Sequence, residues 1–177
     1  IGVRLVGSEM CIRDRGYPAR LVVPGWEGNM WVKWIRRLEF GDKPYMTREE
    51  TSKYTDLLTD GKARMFTWVM EAKSVVTSPS PEKPILHKGI QQLRGLAWSG
   101  KGKIKRVDVS LDGGKNWRTA QLHAPIMSKS LVRFTLPFEW SGEELLIQSR
   151  AIDETGYVQP YIQELQKIRG KNLSLIH

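Results

Sequence analysis

RVDVSLDGGKNWRTAQL, residues Arg106–Leu122, is the stretch whose reading decides the fold. Val107, Val109 and Leu111 alternate with Arg106, Asp108 and Ser110. A period of two is what a strand shows when one face is buried and the other wet. Asp112-Gly113-Gly114-Lys115 follows directly, and Trp117 opens a second run through Leu122. An alternating run, a Gly-rich turn and a second run together predict a β-hairpin.

Working outward, Ile90–Trp98 predicts a strand with Gly95 inside it, and Leu131–Leu136 and Glu144–Ile152 predict two more. Short strands at this spacing favour an immunoglobulin-like sandwich. Tyr161–Arg169 places Ile162, Leu165 and Ile168 on one helical face, with Gly170 as the stop. Upstream, Ser78-Pro79-Ser80-Pro81-Glu82-Lys83-Pro84 carries three prolines in seven residues. Such a segment is held extended and reads as a linker, so a domain boundary is expected there. Before it, ARLVVPG (Ala19–Gly25), MWVKWIRRLEF (Met30–Phe40) and ARMFTWVM (Ala63–Met70) read as strands. Thr47-Arg48-Glu49-Glu50 has capping-box spacing and predicts a short helix from Arg48 to Tyr54. The chain is therefore expected to be mainly β, an α+β remnant over 16–78 followed by a sandwich over 79–171.

The chain has 177 residues and a formal net charge of +9, from 28 Lys and Arg against 19 Asp and Glu. The cations are interleaved with acids along the chain, which fits a solvated surface or a set of anion sites better than a duplex-binding stripe. No run approaches the roughly 20 apolar residues of a membrane helix. A single cysteine, Cys11, excludes an intramolecular disulfide and a cysteine-rich metal site. His87, His123 and His177 are isolated and suggest no metal site.

Both ends read as foreign. IGVRLVGSEMCIRDR (Ile1–Arg15) has no steady period, and it and the closing LSLIH resemble translated sequencing adapter. Residues 1–15 and 172–177 are accordingly read as adapter-derived, Ile1–Arg15 and Leu173–His177 are expected to make few long-range packed contacts, and Cys11 is given no chemistry.

The remaining signal lies in GYPARLVVPGWEGNMWVKW, Gly16–Trp34. Read alone, Arg20 and Lys33 are surface cations on two strands joined by a Pro24–Asn29 turn. Taken together, Gly-Tyr-Pro, the following Arg, Val-Pro-Gly and Val-Lys-Trp resemble the stretch with which the sulfite oxidase family of molybdenum-cofactor oxidoreductases wraps the phosphate end of its pterin. The resemblance puts Arg20, Trp31, Val32 and Lys33 at molybdopterin-binding positions, Trp31 through its backbone. Where the family often has a His before the Gly-Tyr-Pro, Arg15 stands here, and nothing is carried onto it.

TREETSKYTD (Thr47–Asp56) resembles the sulfane dehydrogenase branch more than the vertebrate sulfite oxidases. It makes Tyr54 the counterpart of a family Tyr near the metal; the alternative is a packed tyrosine at a helix end. Gly95–Ala120 resembles the family's dimerisation domain, with Trp98 and Trp117 expected in its core. SRAIDETGYVQP (Ser149–Pro160) is another family signature. Ile168-Arg169-Gly170 resembles the pair whose Arg serves the anion pocket over the metal, one residue closer than in sulfite oxidase. The alternative for Arg169 is a helix C-terminal cation opposing the dipole.

What the resemblance implies is oxidation of a sulfur oxyanion or carrier-bound sulfane at a Mo-molybdopterin centre. Electrons would pass to a c-type cytochrome in the periplasm, and the second domain would form a homodimer. The family's metal-ligating cysteine lies upstream of this sequence, so the chain by itself is expected to be inactive. Arg20 and Lys33 are expected to share one pocket with Arg169 approaching, and the sandwich to leave one strand edge unpaired. Two other readings stand beside this one: a non-catalytic β-sandwich interaction module, and a basic nucleic-acid-binding domain using exposed Trp and Arg.

Overall fold

A computed structural model describes residues 12–43, 45–58 and 60–169, without the side chains of 49, 50, 53 and 169. Two compact units emerge, Ile1–Trp68 with Leu165–His177 and Val69–Glu164. They divide ahead of the Pro-rich segment where the sequence places the boundary. The reason is pairing, because the strand just before those prolines belongs to the second unit's sheet.

Two sheets build the second unit. One has the order β3-β4-β8-β7, from Lys73–Ser78, Gly89–Trp98, Val132–Trp140 and Gln121–His123. The other has the order β6-β5-β9, from Arg118–Thr119, Ile104–Ser110 and Gln148–Asp153. Leu93, Ala97, Val107, Val109, Phe134 and Ala151 are completely buried between them. Each large apolar side chain removed from water contributes about 1.5–3 kcal/mol, so this layer dominates the unit's stability. Gly95 lies opposite Phe134 in the β4–β8 register. A Cβ there would come within 2.1 Å of Phe134 Cζ and 2.5 Å of Val75 O, so the ring fills the space a side chain would need.

The hairpin forms, and then departs from expectation. Asp108 pairs with Thr119 and Val109 with Arg118, but pairing to β5 stops there. From Gln121 the chain pairs with β8 in the other sheet instead. The run read as one strand over 117–122 thus crosses between sheets at Ala120, which is buried and donates its N–H to Val107 O at 2.8 Å. Its turn is organised by Asp112. Oδ1 accepts from Ser110 Oγ at 2.7 Å and from the N–H groups of Lys115 and Asn116 at 3.0 Å each. Oδ2 accepts from Asn116 Nδ2 at 2.7 Å. The Asn116 N–H foremost, then the Ser110 hydroxyl, hold this carboxyl well below the usual carboxylate range.

Trp98 and Trp117 correct a further expectation, since neither joins the buried core. Leu93, Gly95 and Ala97 take the inward positions of β4, and Trp98 falls on the alternate side. Trp117 is half-buried against Arg150, whose guanidinium sits 4.1 Å from the ring centroid, and donates Nε1–H to Gly114 O at 3.0 Å. Arg150 also reaches Asp108 Oδ2 at 3.4 Å, while Arg106 reaches Oδ1 at 3.0 Å.

The sandwich is open as expected: β3 and β7 end one sheet with no further strand beside them among the described residues, while the β9 edge of the other sheet is partly covered. Residues 157–159 run beside β9, with Ile152 bridged to Val158 and Gln159 N–H donating to Ala151 O at 2.9 Å. The Gln159 side chain spans the seam between the sheets. Its Oε1 accepts from Ser74 N–H at 2.8 Å and Ser74 Oγ at 2.8 Å on β3, and from Ala151 N–H at 3.0 Å on β9. Nearby, Asp153 is fully buried; its oxygens accept from Ser99 Oγ at 2.8 Å, Thr155 Oγ1 at 2.6 Å and Tyr157 N–H at 3.1 Å. Burial pushes its carboxyl up, but these hydrogen bonds outweigh burial and leave it below its ordinary value.

The first unit is more loosely built. Its helix α1 spans Arg48–Lys53 as the sequence predicts, followed by the two-residue pair β1 (Asp56–Leu57) and β2 (Ala63–Arg64). The expected strands over 19–25, 30–40 and 63–70 shrink to fragments. A ladder of two strands without further neighbours is marginal, and Trp34, at φ 55°, departs from the extended backbone a longer strand needs. The final helix, α2, covers Ile162–Arg169.

Candidate functional site

Residues 16–34 form a ladder folded around an aromatic anchor. Trp26 stacks on Trp68, with centroids 5.4 Å apart and planes 8° from parallel, and Glu27 N–H donates to Trp68 O at 2.7 Å. A 3-10 turn over Gly28–Met30 then reverses the chain. The returning segment pairs with the outgoing one, Leu21 N–H donating to Val32 O at 2.9 Å and Ile35 N–H to Ala19 O at 3.1 Å.

Within this ladder Arg20 and Lys33 are direct cross-strand partners. Opposed residues of an antiparallel pair project from the same face, so two cations are brought side by side. The Arg20 guanidinium lies 5.8 Å from the Trp31 ring centroid, and its Nη1 reaches Arg15 O at 3.4 Å. Lys33 Nζ donates to Asp14 O at 2.7 Å and lies 4.7 Å from the Trp34 ring centroid. Gly16 permits this closeness: at φ 114° it sits where a Cβ would meet Arg20 Cβ at 2.9 Å. Trp34 Nε1 donates to Arg13 O at 2.8 Å. The described part of the adapter-like segment is thus tied to the ladder by polar bonds, though Ile12 through Arg15 stay exposed.

Three side-chain atoms here are buried without a hydrogen-bond partner: Asn29 Oδ1, Asn29 Nδ2 and Trp31 Nε1. Each such atom costs roughly 1–3 kcal/mol if nothing satisfies it. The backbone N–H of Trp31, expected from the sequence to serve a ligand, donates instead to Gly28 O at 3.1 Å, and its indole N–H is the free donor. Val32 exposes its side chain and engages its carbonyl in the ladder. Two adjacent cations and unmatched donors suit a pterin phosphate, an anion that accepts hydrogen bonds and needs positive charge. The residues present therefore fit such a group. A cavity of about 830 Å³ opens on this unit near Tyr17, Pro18, Trp34 and Arg36, but Arg20, Trp31, Val32 and Lys33 do not line it. The cross-strand cations, not that cavity, are the groups suited to an anion.

The structure brings together Arg20, Trp31, Val32 and Lys33. Tyr54 follows α1 and is half-buried; no hydrogen bond to the ladder is seen among the described residues. The Arg169 side chain, and with it its expected approach to Arg20 and Lys33, lies outside the described residues, as do residues 1–11 and 170–177. Asn29 and Arg64, the latter with Nη1 buried and unpartnered in this unit, were not singled out by sequence. An amide set between aromatics in GWEGNMW was the available signal for Asn29.

Among the described residues no helix is long and apolar enough to cross a membrane, and no three His, Cys, Asp or Glu residues cluster. The description "Mo-co oxidoreductase dimerisation domain" matches residues 64–177, and "Oxidoreductase molybdopterin binding domain" matches residues 6–49. Sulfite oxidase of Gallus gallus is 35% identical over 89% of this chain and 37% of its own length. A nitrate reductase of Solanum lycopersicum is 32% identical over 86% of this chain and 20% of its own length. In three dimensions the chain is similar to the sulfane dehydrogenase SoxCD of Paracoccus pantotrophus, with a TM-score of 0.84 and 66% identity over 89% of this chain and 41% of that one. It spans less than half the length of each of these relatives. On the dimerisation-domain match and the cation ladder inside the molybdopterin-binding match, the chain belongs to the sulfite oxidase family of molybdenum-cofactor oxidoreductases.

Proposed function

We propose that this chain is the phosphate-clamping and dimerising portion of a sulfane dehydrogenase, an enzyme that oxidises a carrier-bound sulfane or a sulfur oxyanion. The observation that carries the reading is the cross-strand pair Arg20–Lys33. Placing two cations on one face costs stability through repulsion, which an anionic ligand relieves. Arg20 offers a planar fork to phosphate oxygens and Lys33 a compact charge beside it. Trp31 and Val32 position both by fixing the turn and the ladder. Bound, the molybdenum cofactor supplies the oxygen-atom transfer and the redox couple. Tyr54 offers a hydroxyl donor near the reacting sulfur, and Arg169 draws the oxyanion toward it. The second unit pairs with a copy of itself, and a c-type cytochrome in the periplasm takes the electrons.

The test is made in the complete enzyme that contains this segment. Arg20→Ala should lower the pterin content of the purified protein. Arg169→Ala should keep the pterin and raise KM for the sulfur substrate. Full pterin retention by both Arg20→Ala and Lys33→Ala would remove the clamp, and unchanged substrate kinetics in Arg169→Ala would remove the anion pocket.

A further inference from the structure

Asn29 stands out among the described residues with buried polar side-chain atoms. Arg64 and Gln148 each leave one buried side-chain atom unpartnered, whereas Asn29 leaves both its donor and its acceptor. Trp31, two positions along, adds the unmatched indole N–H. All three atoms sit on the 3-10 turn and its exit, held by the Trp26–Trp68 stack and by Glu27 N–H on Trp68 O. A turn fixed this firmly cannot easily relax to satisfy them internally. A single ligand completing the Asn29 amide would come from outside the turn and offer an acceptor and a donor side by side. A phosphate only accepts, so the anion held by Arg20 and Lys33 satisfies Nδ2 or the indole but never Oδ1.

We infer that Asn29 recognises the pterin ring: its amide pairs with the amino–oxo edge of the ring's pyrimidine half while Trp31 Nε1 donates beside it. This rests on the cofactor-binding reading above and extends it from the phosphate to the heterocycle. The pyrimidine edge of a pterin carries a ring N–H donor beside its oxo acceptor, and an amino donor beside an unprotonated ring nitrogen; either pair is the complement of a carboxamide. The residue before Asn29 leaves its surroundings open, since a Cβ added at Gly28 would meet nothing within 4 Å. Access is governed by Arg20, whose guanidinium lies over the Trp31 ring and is held by a bond of 3.4 Å to a neutral carbonyl. A phosphate outcompetes that carbonyl through charge-assisted bonding, so capture of the phosphate draws Arg20 off Trp31 and opens the ring site. The clamp and the ring site are then filled in order, phosphate first.

In the complete enzyme, the pterin bound per polypeptide is read from the fluorescence of the oxidised, released cofactor after dilution. Asn29→Leu keeps the volume and removes both hydrogen-bonding atoms; it should weaken retention roughly tenfold, about 1.4 kcal/mol. Asn29→Asp keeps the acceptor and loses the donor, and should fall between Leu and wild type. If Arg20→Ala loses pterin while Asn29→Leu holds it as wild type does, the ring assignment is overturned and the clamp stands. If both hold it, the clamp falls as well. Asn29→Leu that lowers the melting temperature yet retains pterin would show that polypeptide, not pterin, meets the amide, and also overturns the proposal. Should Asn29→Leu not fold, the Trp31 indole resonance of the unaltered chain is followed by proton–nitrogen correlation with inorganic pyrophosphate and hydroxymethylpterin added together. A shift produced by the pterin beyond that of pyrophosphate alone supports the assignment, and no further shift refutes it.

Discussion

Replacing Gln159 by Leu isolates what one side chain does for the second unit. Its Oε1 takes three hydrogen bonds, two from Ser74 on β3 and one from Ala151 on β9. Two of these donors are backbone N–H groups, which can only donate, so the amide orientation follows from chemistry. Leu preserves most of the volume but strands two backbone N–H groups in a half-buried seam. Each fully buried orphan costs about 1–3 kcal/mol; at the low end, for partial exposure, the pair costs about 2 kcal/mol. For a domain of this size each kcal/mol moves the melting point by about 4–8 °C, so a fall of roughly 8–16 °C is expected. Gln159→Glu keeps an acceptor facing the same donors and should lose much less. Thermal unfolding by circular dichroism on wild type and both variants decides it. A Leu variant melting with the wild type, or a Glu variant falling as far as Leu, would refute the idea that acceptor capacity at this seam holds the sheets together.

Gly95→Ala should be more damaging than its size suggests, by about 3 kcal/mol or more, because Phe134 and Val75 O occupy the Cβ position; soluble yield and urea midpoint are the readouts. Asp112 and Asp153 both have carboxyls lowered in the folded state. Their contribution is therefore intact above the unfolded aspartate value near pH 3.9 and is lost as pH falls through the folded values. Asp153→Asn should flatten the acid limb of the stability profile, and an unchanged limb would count against it. Arg150→Lys should destabilise by about 1 kcal/mol, since an ammonium cannot lie flat on Trp117 while reaching Asp108. A Lys variant of wild-type stability and unaltered tryptophan fluorescence would show the stack to be idle.

The sandwich was legible because its signals are local. The alternation over Val107–Leu111 and the Asp112 turn each lie within a few residues, and the structure bears out the hairpin they predict. The crossing at Ala120 was hidden, since nothing in Arg118-Thr119-Ala120-Gln121 says that its two halves pair with different strands. The tryptophans misled for another reason. Large aromatics are read as core, yet Trp117 is occupied by Arg150, whose position depends on the β5–β9 register and not on neighbouring sequence. In the first unit the motif located Arg20 and Lys33, but strands read from apolar runs shortened because ladder partners are few there. Asn29 emerged from asking which buried atoms lack partners, its place between aromatics in GWEGNMW being the one weak sign in the sequence.

The crossing at Ala120 also bears on how the second unit assembles over time. β5 and β6 are near neighbours in sequence and can close on the microsecond scale of a hairpin. The next three residues cannot settle until Val132–Trp140 has arrived, and that strand must also find Gly89–Trp98, some forty positions upstream. A chain threaded through both sheets cannot complete one and leave the other for later. The slow step is then the meeting of distant strands, and the unit should appear in one kinetic phase, both sheets at once, with the Asp112 turn already formed in the states that precede it.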